Sequence, residues 1–128
     1  MASGICESTR MKWFTEVGEV YLHRDPVDFR KSINGLSIIV EEHMEISPYT
    51  HAIFVFCNKH RDKLKILCWD HTGFVLWYKR LEKARFKWPR QHASEVVTIN
   101  DEELDWLLRG LDFQQLIGHK KLSLTHTF

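Results

Sequence analysis

"AIFVFCNKHRDKLKILCWDHTGFVLWYKRL", residues 52–81, decides the fold. Ala52 to Asn58 is a continuous apolar run, too short for a core helix, and reads as a buried strand. Polar residues 59–63 then interrupt it, and Leu64 to Trp69 restores the β-forming pattern. Asp70-His71-Thr72-Gly73 is a tight turn, and Phe74 to Leu81 is a third strand. Connections of hairpin length make these three strands an antiparallel meander. Alternation gives Leu64, Ile66 and Cys68 one face of the second strand and Lys65, Leu67 and Trp69 the other. In the third strand Phe74, Leu76, Tyr78 and Arg80 oppose Val75, Trp77, Lys79 and Leu81. Neither face is polar throughout, so one must pack on a helix, and the other stays aromatic and basic unless later elements cover it.

Working outward, Glu16 to Arg24 mixes β-branched, aromatic and charged residues and reads as a short strand. Asp25-Pro26 supplies a helix N-cap and first-turn proline, with Asp28 as an acid in the first turn. Phe29, Ile33, Leu36, Val40 and Met44 then recur at helical spacing, and Ser47-Pro48 ends the element. Downstream, Phe86 to Trp88 forms a fourth, edge strand before Pro89. Residues 91–99 connect, with a short strand in "SEVVTI". Asn100 caps a closing helix with acids in its first turn, Leu104, Leu107, Leu108 and Leu111 on its apolar side, and Gly110 near its end. The expected fold is α+β: an antiparallel β-meander of four to five strands, one helix packed on a face and a C-terminal helix alongside. Domain organisation follows as an N-terminal extension over residues 1–12, a single domain over 13–121 and a tail over 122–128.

With 44% hydrophobic and 27% charged residues in 128, the chain has the composition of one globular domain. No apolar run approaches the roughly 18 residues of a membrane helix, and the N-terminus lacks the apolar stretch of a secretory signal. Cys6, Cys57 and Cys68 are odd in number and form no Cys-x-x-Cys pair, which fits reduced thiols in a cytoplasm. Eight histidines are scattered without zinc-ligand spacing, so no metal or cofactor is expected.

The formal charge of +1 conceals a split. Residues 59–90 hold Lys59, Arg61, Lys63, Lys65, Lys79, Arg80, Lys83, Arg85, Lys87 and Arg90 against Asp62, Asp70 and Glu82. Ten minus three gives +7 there, leaving −6 for the remainder. Such asymmetry points to nucleic acid, with cations neutralising phosphates and an aromatic such as Trp88 stacking on a base. The competing reading makes the aromatics core and the cations a solvated back, and it suits Phe74 and Trp77 best. No catalytic signature is present: there is no phosphate loop and no nucleophile elbow. Asp62, Asp70 and Glu82 would have to converge to hold a metal, yet each has a simpler local role in a turn, a loop or an ion pair.

"DPVDFRKSINGLSIIV", the "FVFCNKHRDKLKILCWDHTGFVLWYKRLEKARFKWP" block and "LDWLLRGLDF" together resemble the TnpB accessory protein family of the IS-sixty-six class of bacterial insertion sequences, distinct from the RNA-guided nuclease of that name. The likeness runs from Trp13 to Lys121 and includes Asp28, Arg30, Lys31, Gly35, Asp62, Lys65, Trp69, Asp70, Gly73, Lys79, Arg80, Leu81, Glu82, Phe86, Trp88 and Pro89. The first ten residues fall outside the pattern, and His60 stands in a loop that is often more basic in the family. The resemblance implies a small accessory protein of transposition, encoded beside a larger transposase, and supplies no catalytic residues. The expected function is therefore non-enzymatic: DNA binding, at transposon ends, through Lys59 to Arg90. The alternative is an interaction subunit that docks the transposase or another accessory protein without touching DNA.

Overall fold

The computed structural model describes residues 19–112. The expected extension over 1–12, the tail over 122–128 and both margins of the 13–121 domain lie outside the described residues. Among the described residues seven elements follow in order: β1 (Glu19–His23), α1 (Ile33–Glu42), β2 (Ala52–Cys57), β3 (Lys63–Asp70), β4 (Gly73–Arg80), β5 (Val96–Ile99) and α2 (Asp101–Leu108). The fold is α+β, with one five-stranded sheet ordered β4-β3-β2-β1-β5.

Strands β2, β3 and β4 pair antiparallel in sequence order, Ile53 opposite Cys68 and Ile66 opposite Trp77. The sheet as a whole is not a meander. β1 lies parallel to β2, with Glu19 opposite Ala52, and β5 closes the far edge antiparallel to β1. A parallel pair needs a crossover between its strands, and the segment containing α1 provides it. Alternation and turn chemistry reveal hairpins, but they carry no information about which edge a distant strand joins.

Three local expectations are corrected. The first helix begins at Ile33 after Ser32, not at Asp25-Pro26. Its supposed cap is engaged elsewhere: Asp25 accepts from Arg24 Nε at 2.9 Å, and Asp28 takes Arg30 in a bidentate pair. The Val27 amide donates to Cys57 O at 3.0 Å, which ties this stretch to the sheet before the helix can start. Phe86 to Trp88 joins no ladder, and the Trp88 amide donates back to Phe86 O at 3.0 Å, so the expected edge strand is absent from the sheet. Finally, the meander accounts for only part of the sheet.

Both sheet faces are covered, which is why β2 is buried at all six positions. On one face Phe54, Phe56 and Leu67 cluster with Leu36, Ile39, Val40 and Met44 from the α1 segment. On the other, Ile53, Val55, Leu64, Ile66 and Cys68 cluster with Phe86, Trp88, Leu104, Leu107 and Leu108. The face that alternation left aromatic and basic is therefore closed by residues 81–90 and α2. α2 is terminated at both ends: Asn100 and Glu103 form a reciprocal capping box. Gly110, at φ +80°, permits amide bonds from Gly110 to Leu107 O and from Leu111 to Trp106 O, which satisfy the last turn.

Candidate nucleic-acid interface

Strand register gathers the charge at one end of the sheet. The end of β2, the start of β3 and the end of β4 are neighbours there: Cys57 lies opposite Leu64, and Lys63 opposite Arg80. The loop over 58–62 and the arm over 81–90 emerge together. Asn58 organises the loop; its Oδ1 accepts the amides of Asp62 and Lys63, and its Nδ2 donates to Asp62 Oδ1 at 2.7 Å. That bond holds the Asp62 carboxyl below its ordinary pKa. Arg61 sits at φ +62°, a left-handed conformation that points its carbonyl at the Phe86 amide. The Leu81 amide donates to Asp62 O at 2.8 Å, so loop and arm are stitched together by backbone.

The arm alternates. Phe86 and Trp88 are buried, while Arg85 and Lys87 are exposed. The Trp88 indole N–H donates to His23 O at 3.0 Å and Arg24 O at 3.1 Å. With 5% of its surface exposed, the ring has no face to offer a base. Arg90 donates through Nη2 to Asn58 O, and its buried Nε has no partner among the described residues. Beside it, burial pushes the Cys57 thiol up to about 11 against the pull of the Arg90 charge.

The ten cations separate into two groups. Lys65 Nζ donates to Phe29 O at 2.9 Å and Lys31 O at 2.8 Å and lies 4.9 Å from the Phe29 ring centroid. Its desolvation lowers its pKa. Lys79 Nζ donates to Leu108 O at 2.7 Å, Arg90 holds Asn58 O, and Arg80 pairs with Glu82 at 2.8 Å. By contrast, the side chains of Lys59, Arg61, Lys63, Lys83, Arg85 and Lys87 make no hydrogen bond or ion pair among the described residues. Lys59, Lys83, Arg85 and Lys87 are exposed, and Arg61 and Lys63 are half-buried. Lys31 was missed by a charge count confined to residues 59–90; it is exposed, and its carbonyl is held by Lys65. Asn58 was missed because an asparagine in a polar loop carries no signal of its hydrogen bonds.

Replacing Lys79 separates anchor from ligand. Lys79→Ala removes an ammonium from the C-terminal carbonyl of α2 and should lower unfolding free energy by about 1–2 kcal/mol. Urea denaturation measures that loss, while the salt dependence of any DNA binding should be unchanged.

Of the carboxylates considered for metal binding, Asp62 and Asp70 lie at opposite ends of β3, and Glu82, near Asp62, pairs with Arg80. At the sheet end opposite the cations, Tyr49, Trp69 and Phe74 form an aromatic cluster with ring centroids 5.0–5.4 Å apart, and Tyr49 is 60% exposed. An open depression there is lined by Glu19, Thr98, Ile99, Asn100, Asp101, Glu102 and Glu103. Among the described residues, no helix is long and apolar enough to cross a membrane.

Residues 18–117 match the family model described as IS66 Orf2 like protein. The uncharacterized protein y4jC of Sinorhizobium fredii is 36% identical over 91 residues, covering 71% of this chain and 77% of the relative. The uncharacterized protein y4hO of the same organism is 30% identical over 95 residues, covering 74% and 82%. No solved structure matches the chain.

Proposed function

The chain belongs to the IS66 Orf2-like family of insertion-sequence accessory proteins, and from that premise we propose that it binds DNA at transposon ends through the basic end of its sheet. The family is not a known enzyme class, and the proposed role is non-enzymatic: to hold DNA for a separate transposase. One observation carries the reading. Six cations whose side chains make no hydrogen bond or ion pair among the described residues, Lys59, Arg61, Lys63, Lys83, Arg85 and Lys87, lie on one loop, the start of β3 and one arm that the backbone binds together. Cations serving only as solvated cover would be interspersed with acids, whereas here Asp62 and Glu82 are occupied by Asn58 and Arg80. Trp88 leaves the proposed contact set, and Lys65, Lys79 and Arg90 act as supports behind it.

If about 4–6 cations reach phosphates, log K against log salt should slope by about −4 to −5 on duplex DNA. Fluorescence anisotropy across a salt series measures this. Ala at Lys83, Arg85 and Lys87 together should flatten the slope by about 3 without altering sequence preference. A flat salt profile in the wild type would refute the interface.

A second reading is favoured by the other end of the sheet. The Tyr49–Trp69–Phe74 cluster and the acidic depression suit a basic protein surface, such as that of a DNA-binding transposase. Recovery of the transposase in a pull-down that resists nuclease would support it; nuclease-sensitive recovery would support bridging by DNA.

A further inference from the structure

We infer that the exposed edge of β4 is a self-association surface, on which a second copy of this chain pairs its own β4 antiparallel across a two-fold axis. The sheet has two edges, β4 and β5. β5 spans only Val96–Ile99 and is flanked by Glu95 and Asp101, a short edge with charge beside it. β4 runs eight residues, Gly73–Arg80, and its first six, Gly-Phe-Val-Leu-Trp-Tyr, contain no charge and no proline. Every position from Lys63↔Arg80 to Asp70↔Gly73 is in register, so no bulge turns the edge away.

The direction of its backbone groups follows from the ladder. The Leu81 amide donates to Asp62 O, which makes that pair a hydrogen-bonded one. Antiparallel pairs alternate, so Gly73, Val75, Trp77 and Lys79 also direct their amides and carbonyls at β3. Those of Phe74, Leu76, Tyr78 and Arg80 point outward, and no described residue receives them. Val75 and Tyr78 are 39% and 49% exposed along the same edge.

The sequence of this edge complements itself. Pairing outward residues about Leu76 sets Leu76 against Leu76 of the second copy, Phe74 against its Tyr78, and Val75 against its Trp77. Each is an apolar or aromatic cross-strand pair, the kind that stabilises a sheet. Lys79 and Arg80 of the two copies fall at opposite ends, so no like charges face each other. Those cations would oppose most registers shifted toward the strand's end, which leaves the apolar register favoured. This association is apolar and backbone-bonded, independent of DNA binding, and adds strands as other edge-pairing complexes do.

Sedimentation velocity on the full chain, over a concentration series in low and high salt, tests it together with hydrogen exchange. The mass should rise from 15.3 kDa towards twice that value at both ionic strengths. Slowed exchange at the amides of Phe74, Leu76, Tyr78 and Arg80 should appear over the same concentrations. Val75→Lys and Tyr78→Lys, both at exposed positions, should each weaken association by about tenfold or more with thermal melting of the single chain retained. If either variant fails to fold, the wild-type exchange data still decide. A single-chain mass at every concentration overturns the inference. So does association that vanishes in high salt, or slow exchange at those four amides regardless of concentration, which would mean the chain covers its own edge. None of these outcomes bears on the salt slope for DNA.

Discussion

Trp88→Ala should lower the unfolding free energy by about 3–5 kcal/mol, the range for removing a large aromatic from a packed interior. The ring is 5% exposed within the cluster of Ile53, Val55, Leu64 and Ile66. Its loss leaves a cavity beneath the sheet, and it also strips His23 O and Arg24 O of an indole donor. Trp88→Phe isolates the second contribution, because it keeps most of the volume but not the N–H; about 1–2 kcal/mol of the loss should persist. Urea denaturation of both variants measures the difference. Retention of the wild-type midpoint by Trp88→Ala would mean that the ring does not belong to this core.

Leu36→Ala should cost about 2–5 kcal/mol. Leu36 is fully buried among Val40, Phe54, Phe56 and Leu67 on the other face of the sheet. α1 has no side-chain cap and no acid in its first turn, so its stability rests on this apolar contact rather than on its own ends. The exposed Ile38, two positions along the same helix and 51% accessible, provides the control. Ile38→Ala should change the urea midpoint little, whereas Leu36→Ala should shift it strongly. Equal effects would break the assignment of the helix face.

What sequence could reveal tracks how local the determining interactions are. β2, β3, β4 and the Asn100 cap were legible because alternation, a two-residue turn and a capping box each act within a few residues. Val20 opposite Ile99 and Glu19 opposite Ala52 join distant segments, and nothing near those residues encodes the pairing. Asp25-Pro26 carried a valid helix-start signal that lost to local pairs with Arg24 and Arg30 and to one tertiary bond, from the Val27 amide to Cys57 O. In the candidate site, the basic block was visible as composition, but composition does not distinguish Lys79, held at a helix end, from Lys87 in solvent. Trp88 looked available beside a proline; only its two carbonyl acceptors, 64 and 65 residues away, show where it goes.

The alternation of Arg85, Phe86, Lys87 and Trp88 has a thermodynamic consequence. Neighbouring residues on one short arm face solvent and core in turn, so an anion held by the arginine and lysine also resists withdrawal of the two rings. Occupancy and folding are thereby linked: a ligand that binds only the native arm raises stability by about 2.7 kcal/mol at a hundredfold excess over its dissociation constant. The reverse holds equally, and a loosened core beneath the arm would weaken capture above it. Evolution of the outer residues towards a new target is therefore constrained by the packing of their buried neighbours.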